Sequence, residues 1–113
     1  MGIDFSHCDA HWAYSGFNRF RARLAKQIGI NLDSMIGFGG NHSWESVSDP
    51  IKPFLNHSDC DGNLTVDECW AVAPRIQQLI SDWKDDDYDK IHALELIEGM
   101  KNAVASLEPL EFK

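Results

Sequence analysis

Residues His57 to Glu68 constrain the fold of this chain more than any other stretch. They read His57, Ser58, Asp59, Cys60, Asp61, Gly62, Asn63, Leu64, Thr65, Val66, Asp67, Glu68. Aspartate, asparagine and glycine crowd the first seven positions, and their short side chains favour tight turns over extended structure. Thr65 with Glu68 three residues later forms a capping box, which opens a helix. Upstream, Asp49 before Pro50 marks another helix start, and Pro53 still falls in the first turn. Ile51, Phe54 and Leu55 supply its apolar side. The expected unit is therefore helix, polar loop, helix.

The loop has a second reading. A twelve-residue calcium loop takes oxygen ligands at positions 1, 3, 5, 7, 9 and 12, with Gly at 6. Asp59, Asp61, Asn63 (through its backbone carbonyl), Thr65 and Glu68 fall on positions 3, 5, 7, 9 and 12, Gly62 on 6 and apolar Leu64 on 8. In these twelve residues the chain resembles an EF-hand. Position 1 departs from the pattern, because His57 stands where aspartate is expected. An imidazole is a poor ligand for a hard cation. Two readings stay open: a loop binding calcium or another divalent cation through Asp59, Asp61, Asn63, Thr65 and Glu68, or a metal-free turn. Zinc at His57, Asp59 and Cys60 lacks the usual paired-ligand spacing.

With 113 residues the chain suits one domain, expected over residues 1–113. A net charge of −8 opposes binding of long nucleic acid, whose phosphates require a basic face. No apolar run is long enough to span a bilayer, and Met1 to Asp9 lacks signal-peptide character. A cytoplasmic, reducing location is expected. Cys8, Cys60 and Cys69 then read most simply as thiols, with a Cys60–Cys69 bridge as the alternative. The charge is uneven: the first 44 residues carry their only basic side chains, Arg19, Arg21, Arg23 and Lys26, within one short stretch.

Residues 1–13 read as an irregular lead, in which Cys8, His7 and His11 are either ordinary side chains or soft-metal ligands. Ser15 is the expected cap of a first helix running to about Ile28. Phe17, Phe20, Leu24 and Ile28 form its apolar face, and Gly29 ends it. Asn31 to Ile36 predicts a helical turn. Gly37, Phe38, Gly39 and Gly40 then lead to Trp44, a loop whose N–H groups can converge on an anion. After Thr65, the residues Cys69, Val72, Ala73, Ile76, Leu79, Ile80 and Trp83 repeat at helical spacing, with a kink or break expected at Pro74. The acidic run around Asp87 caps a last helix from about Asp89 to Leu107, buried through Ala93, Leu96, Ile97, Met100, Val104 and Leu107. An extended tail follows. No useful strand alternation is visible, so the expected fold class is all-α: a small single-domain helical fold with a central EF-hand-like helix–loop–helix.

Three segments also resemble a family of small proteins carried by bacteriophages, prophages and some bacteria. They are Tyr14 to Arg21, Met35 to Gly40 followed by Trp44, and Leu55 to Gly62 with its Asn-His-Ser-Asp-Cys-Asp-Gly string. The tail Leu110, Glu111, Phe112 is similar too. The resemblance carries over no catalytic residues. It implies a counter-defence setting, in which a small acidic protein blocks a host defence protein or sequesters a nucleotide immune signal. With no nucleophile elbow and no paired metal-ligand histidines, the chain is expected not to be an enzyme. The favoured expectation is a non-enzymatic, homo-oligomeric binder of a small anionic ligand. Its candidate contacts are Tyr14, Asn18, Arg19, Arg21, Gly39, Gly40, Trp44 and His57. The alternatives are an inhibitor acting on a host protein and a calcium-binding module.

Overall fold

The computed structural model describes residues 2–58 and 61–113. Strand β1 (Gly2–Asp4) pairs antiparallel with β2 (His11–Ala13), in the register Gly2 to Ala13 and Asp4 to His11. Helix α1 (Tyr14–Gln27) follows directly. A one-turn helix α2 (Lys52–Leu55) leads into the polar loop. Strand β3 (Asn63–Leu64) and helix α3 (Val66–Leu79) follow, then α4 (Tyr88–Ser106) and β4 (Leu110–Glu111). β3 pairs antiparallel with β4.

The all-α expectation is therefore overturned. The described residues hold two two-stranded antiparallel sheets beside four α-helices, a mixed α+β fold. The strands are two or three residues long, too short for period-two alternation to show in sequence. The lead that reads as irregular is a sheet, and the tail that reads as merely extended closes the second sheet with Leu110 fully buried. Phe112 N–H also donates to the Gly62 carbonyl at 2.9 Å.

Local signals account for the helix ends. Thr65 caps α3, accepting from Glu68 N–H while the Glu68 carboxylate accepts from Thr65 N–H, the expected capping box. Asp87 caps α4, accepting from Asp89 and Lys90 N–H. After α1, Gly29 N–H reaches the Lys26 carbonyl and Ile30 N–H the Ala25 carbonyl, a Schellman-type stop. Ser15 lies inside α1, whose N-cap is Ala13 without a side-chain bond. α3 runs through Pro74 unbroken.

Aromatic rings centre the core. Trp12, Phe17, Phe20 and Phe54 are fully buried, and Trp12 stacks on Phe20 at 4.7 Å between ring centroids. Ile76, Ile80, Leu96, Ile97 and Met100 join them from α3, its C-terminal end and α4. Val104 is only half-buried, and Leu107 is exposed at the left-handed end of α4. Cys69 is a buried free thiol, and burial raises its pKa. Its alternative as a bridge to Cys60 falls outside the described residues.

Candidate functional site

Helical geometry splits the arginine stretch. Residues two apart on an α-helix point about 200° away from each other, so Arg19 and Arg21 cannot share a face. Arg19 is exposed and lines a cleft with Arg23 and Lys26. Arg21 lies four residues after Phe17, inside the apolar stripe, and is only 1% exposed. Its guanidinium stands over the Phe17 ring at 4.6 Å and the Phe38 ring at 5.1 Å, and donates from Nη1 to the His57 carbonyl. Aromatic faces attract a desolvated cation more strongly than one in water. The position was legible: an arginine in phase with Phe17, Phe20 and Leu24 is aimed inward.

The glycine loop positions Phe38. Phe38 N–H and Gly40 N–H both turn in to the Met35 carbonyl, at 3.0 and 3.3 Å. A side chain at Gly40 would collide with the Ser34 backbone, 2.1 Å from an added Cβ. Trp44 is buried, donates Nε1–H to the Ile36 carbonyl at 2.9 Å, and meets Phe38 edge-on. Gly40 and Trp44 thus shape the loop, and the Phe38 and Gly40 amides are spent within it.

The His57 side chain spans the polar loop. Nε2 lies 3.0 Å from the Asn63 carbonyl and Nδ1 2.9 Å from the Ser58 carbonyl. The ring stacks on Phe112 with centroids 3.9 Å apart at 28°. Gly62 has φ +88, and a Cβ added there would lie 3.3 Å from His57 Cε1.

Around Arg21 these elements enclose an open cleft of about 470 Å³. Asn18 and Arg21 come from α1, Gly37 and Phe38 from the glycine loop, and Asn56, His57 and Ser58 from the segment after α2. Of the residues expected at a ligand site, Asn18, Arg21 and His57 converge here. Arg19, Tyr14, Gly39, Gly40 and Trp44 do not line it; Tyr14 is half-buried at the start of α1. Phe38 and Phe112 were not among the expected residues. Phe38 lies between two of them, Arg21 and Trp44, and Phe112 arrives through the β3–β4 pairing.

Of the loop's cation-ligand positions, Asp59 lies outside the described residues and Asp61 is exposed. The Asn63 carbonyl faces His57, and Thr65 and Glu68 are engaged with each other. Among the described residues no three His, Cys, Asp or Glu side chains gather closely enough to hold a metal.

A second polar cluster lies across α1. Arg23 donates to both oxygens of Asp87 at 3.1 Å and to Asp89 at 2.7 Å, and its guanidinium covers the Trp83 ring at 3.7 Å. Trp12 donates Nε1–H to Asp89 at 3.0 Å. The Arg23 hydrogen bonds hold the Asp87 carboxyl below its ordinary range. On the far side Arg75 grips Asp49 through three contacts of 2.9 to 3.1 Å and lowers its pKa likewise.

The chain matches no protein-family model, no curated protein and no solved structure. Among the described residues no helix is long and apolar enough to cross a membrane.

Proposed function

We propose that this chain is a non-enzymatic binder of a small anionic ligand of nucleotide type, held in the cleft over Arg21. The observation that carries the reading is the convergence of Arg21, Asn18, His57 and Phe38 on one cleft, in a chain whose net charge is −8. A cation set among low-dielectric walls attracts an anion more strongly than one in open water. Asn18 offers amide donors beside it, and Phe38 offers a ring edge to a planar base. The cleft is open on one side, so a second copy of the chain is the natural closure. The resemblance to phage-borne proteins supports a setting in the host cytoplasm, where the bound molecule is a nucleotide signal of bacterial immunity.

Calorimetry against cyclic and linear nucleotides, with inorganic phosphate as reference, tests this reading. At least one nucleotide binds tighter than about 1 mM, roughly −4 kcal/mol. Asn18→Ala weakens it about tenfold, the worth of one hydrogen bond to a charged group. Binding weaker than millimolar across the panel, or an Asn18→Ala protein that binds as wild type, removes the cleft as the site.

A second reading, a blocker of a host defence protein, is favoured by Trp70. This indole is 73% exposed, on the rim of an apolar groove between α3 and α4 lined by Ala73, Pro74, Met100 and Val104. Native mass spectrometry after incubation with host extract distinguishes the two readings, because a Trp70→Ser change abolishes a protein complex and leaves nucleotide binding intact.

A further inference from the structure

The EF-hand-like loop leaves a bound cation and a metal-free turn as open readings, and among its described ligand positions the Asn63 carbonyl faces His57 while Thr65 and Glu68 face each other. We propose that the His57 side chain takes the place of the calcium ion and that the loop is built to work without metal. His57 also lines the ligand cleft, but the inference does not rest on a ligand bound there.

In a calcium loop the position-7 carbonyl turns inward to the cation. Here that carbonyl, of Asn63, is met by His57 Nε2 at 3.0 Å. Position 1, which should supply a carboxylate to the ion, supplies the imidazole itself. Nδ1 faces a second carbonyl, that of Ser58, at 2.9 Å. Carbonyl oxygens only accept and a neutral imidazole carries a single N–H, so the ring donates to one of the two, and the bond assigned here is Nε2–H to the Asn63 carbonyl. At position 6 a Cβ added to Gly62 would lie 3.3 Å from Cε1 of the ring, and Phe112 covers the ring at 3.9 Å. The position-12 carboxylate, Glu68, is turned to Thr65 N–H at 2.9 Å.

The substitution also ties the loop to the rest of the fold. The His57 carbonyl receives the Arg21 guanidinium, and the ring meets the tail through Phe112. The Asn63 carbonyl is therefore engaged by His57 at any calcium concentration, and the chain has no calcium response at this point.

The test uses the full chain, stripped of metal and titrated with calcium by calorimetry and thermal melting. Wild type shows no binding tighter than about 1 mM, the weak limit for such loops, and no calcium-dependent rise in melting temperature. His57→Asp restores the position-1 carboxylate and binds calcium at least about tenfold tighter than wild type, because ligand charge sets affinity in these loops. A wild-type dissociation constant below about 1 mM overturns the proposal, as does a folded His57→Asp protein that binds no better than wild type. A third measurement does not depend on any variant folding. In calcium-free wild type, NMR should show a through-hydrogen-bond correlation from His57 Nε2 to the Asn63 carbonyl carbon. Its absence in the folded protein also overturns the proposal.

Discussion

Arg21 and Arg23 stand two residues apart on α1 and meet opposite surroundings. Arg23 is partly exposed, and the carboxylates of Asp87 and Asp89 hold it over Trp83. Arg21 is buried, lies between Phe17 and Phe38, and donates to a backbone carbonyl. The first is an ion-pair cluster joining α1 to the start of α4. The second joins α1 to the glycine loop and the polar loop, and it forms part of the cleft. Side-chain type alone does not decide an arginine's role; the helical phase relative to the apolar stripe does.

The largest expected effect on this comparison comes from Arg21→Ala. It empties the space between two rings and strips the His57 carbonyl of a charged donor, a loss of about 2–4 kcal/mol by urea unfolding. Arg23→Ala is expected to cost less, about 1 kcal/mol, because a partly exposed ion pair is screened by solvent and its members can rehydrate. Equal losses in the two variants would show that burial is not what separates the two arginines.

The smallest effect is in acid. Hydrogen bonds from Arg23 and Arg75 depress the folded-state pKa values of Asp87 and Asp49. A depressed carboxyl stabilises the fold fully above its unfolded value, about 3.9, and the contribution fades as pH falls through the folded value. The melting temperature should therefore hold from neutral pH to about 5 and decline below about 4. Arg23→Ala should flatten part of that decline, since the largest cause of the Asp87 depression is then lost and the backbone N-cap bonds remain. An unchanged acid slope in that variant would place the acid sensitivity elsewhere.

Much of the local structure was legible because short-range chemistry decides it. The capping box at Thr65 and Glu68, the Asp87 cap, the Gly29 stop and the apolar phase of α1 and α3 each depend on residues within about one or two turns. The candidate cleft was half legible. Asn18, Arg21 and His57 stood among the expected contacts, but Arg19 and Trp44 were grouped with them by nearness in sequence. Helical phase sends Arg19 to another face, and packing sends Trp44 inward.

The sequence alone determined that a polar turn separates two helical segments, and where most of those segments begin and end. Tertiary structure decided that the ends of the chain make sheets, because β1–β2 and β3–β4 are too short to carry an alternating signal. It also decided where the His57 ring lies. Twelve residues in calcium-loop order admit either a cation or a side chain at their centre. Phe112 reaches the His57 ring from the far end of the chain through β4, and Arg21 holds the His57 carbonyl from α1. Those contacts join residues tens of positions apart, so no local pattern in the loop encodes them.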